Sequence, residues 1–145
     1  MTEFEKATAK VDKHTRKLAV AQTSLGWMYY YGAGVKQDDV EAVRWYTKAA
    51  EQGHAEAQNR LGGMYEQGEG VKKDYAEAVR WYTKAAEQGD ADAQTSLGWM
   101  YYYGEGVKKD YAEAVRWYTK AAEQGDYHAQ YWFDKLTKEM ESKND

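Results

Sequence analysis

The residues of this chain able to do chemistry are three histidines, recurring pairs of carboxylates and a thrice-written Gly-x-Gly-Val-Lys string. Each can be held against what its chemistry requires. His14, His54 and His128 stand apart from one another, and the chain has no cysteine. Neither a structural zinc set nor a thiolate nucleophile can be assembled from them. The string Gly68-Glu69-Gly70-Val71-Lys72, with its counterparts at Gly32 and Gly104, superficially matches a phosphate-binding loop. It lacks the preceding strand and the Gly-Lys-Ser/Thr ending that place a phosphate on backbone amides. Asp38 with Glu41, Asp74 with Glu77 and Asp110 with Glu113 are spaced three apart, as helix caps are, rather than facing each other across a cleft. No catalytic residue, metal ligand or cofactor-binding residue is therefore expected, and no set of nucleophile, base and electrophile is visible.

The elements that carry these residues repeat. Gln22 to Gly32 returns letter for letter as Gln94 to Gly104, and Val71 to Ala91 matches Val107 to Tyr127 except at the last position. A period of 36 residues predicts an α/α solenoid whose units pack on their neighbours. The period divides the chain into an N-terminal capping helix at 1–20, repeats at 21–56, 57–92 and 93–128, and a C-terminal capping helix at 129–145. Ala57, Leu61, Met64 and Tyr65 mark one face of a first helix, A, ending at Gly32, Gly68 or Gly104. Asp38, Asp74 and Asp110 open a second helix, B, whose Ala78, Val79, Tyr82, Ala85 and Ala86 face the core. Trp45, Trp81 and Trp117 of helix B are assigned to the core or its rim. Gly26, Gly62 and Gly98 permit close helix approach, and Gly53, Gly89 and Gly125 turn the chain into the next A helix. Phe4, Ala7 and Val11 suggest a helix covering the first repeat, and Trp132, Phe133, Leu136 and Met140 a final one covering the third.

Bulk properties bound the partners. A net charge of -4 with both signs interspersed offers no basic stripe, so nucleic acid is disfavoured. No stretch is long and apolar enough to insert in a membrane. Met1 to Lys6 lacks the apolar run of a signal peptide, so cytoplasmic residence is expected; an exported protein whose leader had been removed would read the same.

The run Ala57-Gln58, Leu61-Gly62, Met64-Tyr65 and Gly68-x-Gly70-Val71, followed by Asp74-Tyr75-Ala76-Glu77-Ala78-Val79 and Trp81-Tyr82-x-Lys84-Ala85-Ala86-Glu87-Gln88-Gly89, resembles the Sel1-like repeat, a relative of the tetratricopeptide repeat. The resemblance covers residues 21–128. It implies an all-α, right-handed superhelix with a concave wall built mainly from A helices, and a role in binding proteins or peptides as an adaptor or scaffold. Lys36, Lys72 and Lys108 stand where many members carry proline, and Thr23-Ser24 and Thr95-Ser96 replace a frequent Tyr-Asn pair. The paired cysteines of relatives linked to β-lactam chemistry are absent.

One face of helix A is left unexplained by the core. At about 100° per residue, Ser24, Trp27, Tyr30 and Tyr31 cluster with Thr23, and Ser96, Trp99, Tyr102 and Tyr103 with Thr95. The middle repeat places Asn59, Arg60, Gly63, Glu66 and Gln67 there. Two aromatic ridges would flank a polar strip, with Arg60 holding a carboxylate and Glu66 orienting Arg60 or meeting a cation. Trp, Tyr and Arg dominate interface energetics, so a protein or peptide segment lying along this wall is the expected partner. The alternative is that these aromatics pack between A helices with only their edges exposed. A purely structural or consensus-engineered scaffold is a second functional reading, because near-identical units can record idealisation as well as recent duplication; a small-molecule hydrolase ranks last. An aromatic wall or incompletely polar cap can also be buried by a second copy, which leaves homo-oligomerisation open.

Overall fold

A computed structural model describes residues 1–144; Asp145 lies outside the described residues. Among these the chain is all-α, with seven helices: α1 (Glu3–Tyr31), α2 (Asp39–Glu51), α3 (Ala55–Gln67), α4 (Tyr75–Glu87), α5 (Ala91–Tyr103), α6 (Tyr111–Glu123) and α7 (Tyr127–Lys143). Each packs on its neighbours in chain order, as a solenoid requires. The end of α1, α3 and α5 are the A helices; α2, α4 and α6 are the B helices; α7 occupies the place of a fourth A helix.

The punctuation follows the residue types. α1, α3 and α5 end at Gly32, Gly68 and Gly104 in the left-handed conformation, at φ 67°, 69° and 68°. Asp38, Asp74 and Asp110 cap the B helices by accepting the amides of Glu41, Glu77 and Glu113 at 3.1 Å. The reciprocal half of a capping box is not formed there. The cap amides already donate to Tyr29, Tyr65 and Tyr101 carbonyls, and the three glutamates pair with Arg44, Arg80 and Arg116. A full box closes only α1, between Thr2 and Glu5.

The core is stitched by close approach. A Cβ on Gly26, Gly62 or Gly98 would stand 2.7 Å from ring carbons of Tyr46, Tyr82 or Tyr118, so glycine is what lets each B helix lay a tyrosine flat on its A helix. Gln22, Gln58 and Gln94 are buried although polar. The amides of Gln58 and Gln94 donate to the carbonyls of Ala50 and Ala86, and their oxygens accept from Gln88 and Gln124. These glutamines give helix-end carbonyls a second donor beside the Gly53 and Gly89 amides, and in doing so satisfy their own buried side-chain amides.

One expectation is corrected. The segment 1–20 is not a separate cap covering repeat 1: it is the first part of α1, and residues 1–18 are exposed throughout. The reason is local. Lys17-Leu18 occupies the place of Gly53-His54, Gly89-Asp90 and Gly125-Asp126, whose glycines adopt φ 91°, 97° and 89° to reverse the chain. Without that glycine the helix continues. On the B helices, Lys48, Lys84 and Lys120 lie over the rings of Trp45, Trp81 and Trp117, with Arg44, Arg80 and Arg116 also over those rings. Such stacking gains roughly 0.5–1 kcal/mol at exposed sites, while an exposed ion pair typically gains about 0.2–1 kcal/mol at best. Leu25 is 36% exposed where Leu61 and Leu97 are fully buried, because α1 continues straight through the place where the other repeats turn back into a B helix.

Candidate functional site

Arg60 is the clearest feature of the unexplained face. It is exposed, and it forms no ion pair with a carboxylate among the described residues. It lines a depression of about 230 Å³ with Tyr30, Tyr31, Asn59, Gly63, Gln67 and Ser96, so side chains from α1, α3 and α5 converge on one space. The remaining lining comes from Met64, Glu69, Tyr46 and Tyr82. Sequence reading missed Tyr46 and Tyr82 as part of this site. The available signal was chemical: a tyrosine rather than phenylalanine at a buried helix position calls for a partner for its hydroxyl.

The electrostatics of the depression follow from these neighbours. Tyr30 Oη donates to Glu69 Oε2 at 2.9 Å, and that hydrogen bond, with burial, raises the phenol's pKa. Burial pushes Tyr46 up to about 12, against the opposing pull of the Arg60 charge. Tyr82 is raised by burial and by Glu66, to which it donates at 2.8 Å. Glu66 therefore does not orient Arg60; its carboxylate is engaged by the Tyr82 hydroxyl, with Gln67 Nε2 at 3.4 Å. Only the middle repeat has this acceptor, since Tyr30 and Tyr102 occupy the equivalent positions. The corresponding hydroxyl of Tyr118 is buried without a partner.

The two aromatic ridges are unequal. Trp27 is exposed and sits 5.0 Å from Tyr31, whose ring lies 4.8 Å from Tyr30. Ser24 and Trp27 line a separate depression with Val20, Thr23, Met28, His54 and Glu56. Trp99 is half-buried, with Trp132 of α7 edge-on at 5.1 Å and Tyr103 at 4.4 Å. It shares a shallow site with Glu66, Thr95 and Ser96. Tyr102 is held between Tyr111 and Trp132 at 5.4 and 5.5 Å and donates to Glu139, while Tyr103 is exposed beside it. The ridge on α5 thus packs against the next helix with its edges open, whereas on α1 Trp27 and Tyr31 are exposed and Tyr30 alone is tied in, through Glu69 and the core beneath it. Ser96 borders both the central depression and the Trp99 site, making the surface continuous between them.

Among the described residues no cluster of His, Asp or Glu could hold a metal ion, and no helix is long and apolar enough to cross a membrane.

Known proteins share this architecture. The Sel1 repeat family model matches residues 19–54, 55–90 and 91–126. A protective antigen of uropathogenic Escherichia coli displaying an SLR fold is 48% identical, with TM-score 0.77 over 79% of this chain and 24% of its own. A Sel1 repeat protein of Oxalobacter formigenes is 46% identical, with TM-score 0.78 over 81% of this chain and 49% of its own. Helicobacter pylori cysteine rich protein B is 26% identical, with TM-score 0.65 over 88% of this chain and 95% of its own. The chain spans about a quarter and a half of the first two, and among curated proteins no match is found. With three consecutive matches in register on a helical solenoid, the chain belongs to the Sel1 repeat family.

Proposed function

We propose that this Sel1-repeat chain is a non-enzymatic interaction module that binds a protein or peptide segment along the concave wall of its A helices. The family is one of protein-interaction scaffolds, and the observation that favours this particular wall is Arg60. A guanidinium exposed and unpaired at the meeting point of three A helices, beside the apolar faces of Tyr30 and Tyr31, suits a carboxylate carried on an extended segment. Gly63 leaves room beside it: a methyl group added there would meet nothing nearer than Tyr82 Oη at 3.6 Å. Trp27 and the edge of Trp99 would take apolar side chains on either flank. The ligand charge must lie on the Arg60 side, because Glu69 would repel it from the Tyr30 side.

A random-peptide display screen tests the proposal. Enriched sequences should carry an acidic residue or free C-terminal carboxylate next to apolar residues. Arg60→Ala should weaken them at least tenfold, and Arg60→Lys should recover only part, since an ammonium cannot make the forked contact. Enriched peptides indifferent to Arg60→Ala would refute the site. The near-identity of Val71 to Ala91 with Val107 to Tyr127 favours a second reading, a structural scaffold without a native ligand; under it the screen returns no enriched motif.

A further inference from the structure

We propose that the N-terminal helix α1 is a dimerisation element, pairing antiparallel with α1 of a second copy. In repeats 2 and 3 a stripe on helix A is fully covered by the preceding B helix. Leu61 and Leu97 are 0% exposed, and Ala57, Met64, Ala93 and Met100 are also buried. The clusters containing them include Tyr46, Ala49 and Ala50 of α2, and Tyr82, Ala85 and Ala86 of α4. The same stripe on α1 is Ala21, Leu25 and Met28, and it is open: Leu25 is 36% exposed. The chain leaves this place empty itself, because α1 runs on through Lys17-Leu18 where the other repeats turn back into a B helix.

The helix then extends the stripe. Phe4, Val11, Leu18 and Leu25 recur every seven residues, with Ala7, His14, Ala21 and Met28 three residues after each. Phe4, Val11 and Leu18 are 81%, 63% and 44% exposed. A seven-residue apolar repeat sustained along the helix in this way is a coiled-coil seam, and it predicts a helical occupant with left-handed supercoiling.

Two observations select a second α1, antiparallel. The seam sets the small Ala7 and Ala21 among larger residues. A parallel pair would stack Phe4 on Phe4, His14 on His14 and Ala7 on Ala7, putting crowded, polar and void layers in one seam; an antiparallel pair evens the layers. Phe4 then meets Met28 of the second copy, Val11 meets Ala21, Leu18 meets His14 and Leu25 meets Ala7. Further, the established occupant of this place in repeats 2 and 3 is an antiparallel helix, since α2 and α4 are joined to α3 and α5 by short turns. In this register the first turns of one α1 fill the missing B-helix place of the other. Antiparallel pairing brings like edges together: Thr8, Thr15 and Gln22 meet without charge, while on the other edge the Lys17 side chains of the two copies face each other and are long enough to hold their ammonium groups apart in water.

Sedimentation equilibrium of the full chain tests this. The protein should be dimeric at tens of micromolar. Leu18→Glu, an exposed position outside the repeat core, should raise the dissociation constant at least tenfold with unchanged helical circular dichroism. Trp27→Ala should leave the dimer intact. Because the chain lacks cysteine, Lys6→Cys accepts a single spin label; the antiparallel register offsets the two labels by about 20 residues, about 30 Å along the helices at about 1.5 Å per residue. A parallel pair would put them at roughly one interhelical distance, about 10 Å. A chain that stays monomeric at hundreds of micromolar, a Leu18→Glu protein that remains dimeric, or the short label distance would each overturn the proposal.

Discussion

Gly62 and Gly63 are neighbours in the middle of α3, and alanine at the two positions should move stability in opposite directions. Both substitutions gain the same helix propensity, about 0.8–1 kcal/mol. They differ in what the new methyl meets. At Gly63 the nearest atom is Tyr82 Oη at 3.6 Å, an ordinary contact; at Gly62 the Cβ would stand 2.7 Å from Cδ1 and 2.8 Å from Cε1 of the same ring. That ring cannot swing aside freely, because it is buried and its hydroxyl is tied to Glu66. Overpacking of this kind costs roughly 1–3 kcal/mol. Gly63→Ala should therefore stabilise by about 0.5–1 kcal/mol, and Gly62→Ala should fall about 1–3 kcal/mol below it, a difference in which propensity cancels. For a chain of this size the gap corresponds to roughly 3 °C or more in Tm. Thermal melts followed by helical circular dichroism, with urea titrations in parallel, measure it. Equal stability of the two variants would refute the claim that the A and B helices touch through the glycine-tyrosine contact.

Three further outcomes follow from the same geometry. Gln94→Ala removes the 3.1 Å donor to the Ala86 carbonyl, which keeps the Gly89 amide, and the acceptor of the exposed Gln124 side chain, and should cost about 0.5–1.5 kcal/mol in urea denaturation. Tyr46 has its pKa raised from 10.0 to about 12 by burial, and Tyr82 and Tyr118 are raised for the same first reason. The neutral phenols are favoured in the folded state, so this contribution is complete below about pH 10 and is lost as pH climbs through about 12; alkaline titration should show helix loss coinciding with late tyrosinate absorbance, and tyrosines that all ionise near their ordinary pKa with the helices intact would contradict it. Trp27→Ala should weaken partner capture with little change in Tm, whereas Trp99→Ala should also destabilise, by about 2 kcal/mol, because it removes the packing against Trp132.

Much of the fold was legible because it rests on local rules. Glycines forced into positive φ and aspartates at the starts of the B helices mark boundaries by their own chemistry, and they recur in register. Properties set by a neighbour were less legible. Leu25 has the same sequence context as Leu97 yet a different environment, since α1 runs straight on where repeat 3 has a turn and the α4 helix that covers Leu97. Lys48, Lys84 and Lys120 stand three residues from Glu51, Glu87 and Glu123, a spacing that suits ion pairs, yet they lie over the tryptophan faces beside them. The candidate site shows the same division. Helical angles group Tyr30, Tyr31, Asn59, Arg60, Gly63, Gln67 and Ser96 on one face, and these residues line one depression. They could not foresee that Glu66 would be claimed by Tyr82 of the next helix, or that α7 would half-cover Trp99.

The central proposal, a peptide-binding wall centred on Arg60, is tested most directly by amide chemical-shift mapping with a display-enriched peptide. The account predicts shifts concentrated at Tyr30, Tyr31, Asn59, Arg60, Gly63 and Ser96, all of which disappear in Arg60→Ala. Shifts confined to the B helices, or retained in full by Arg60→Ala, would contradict it.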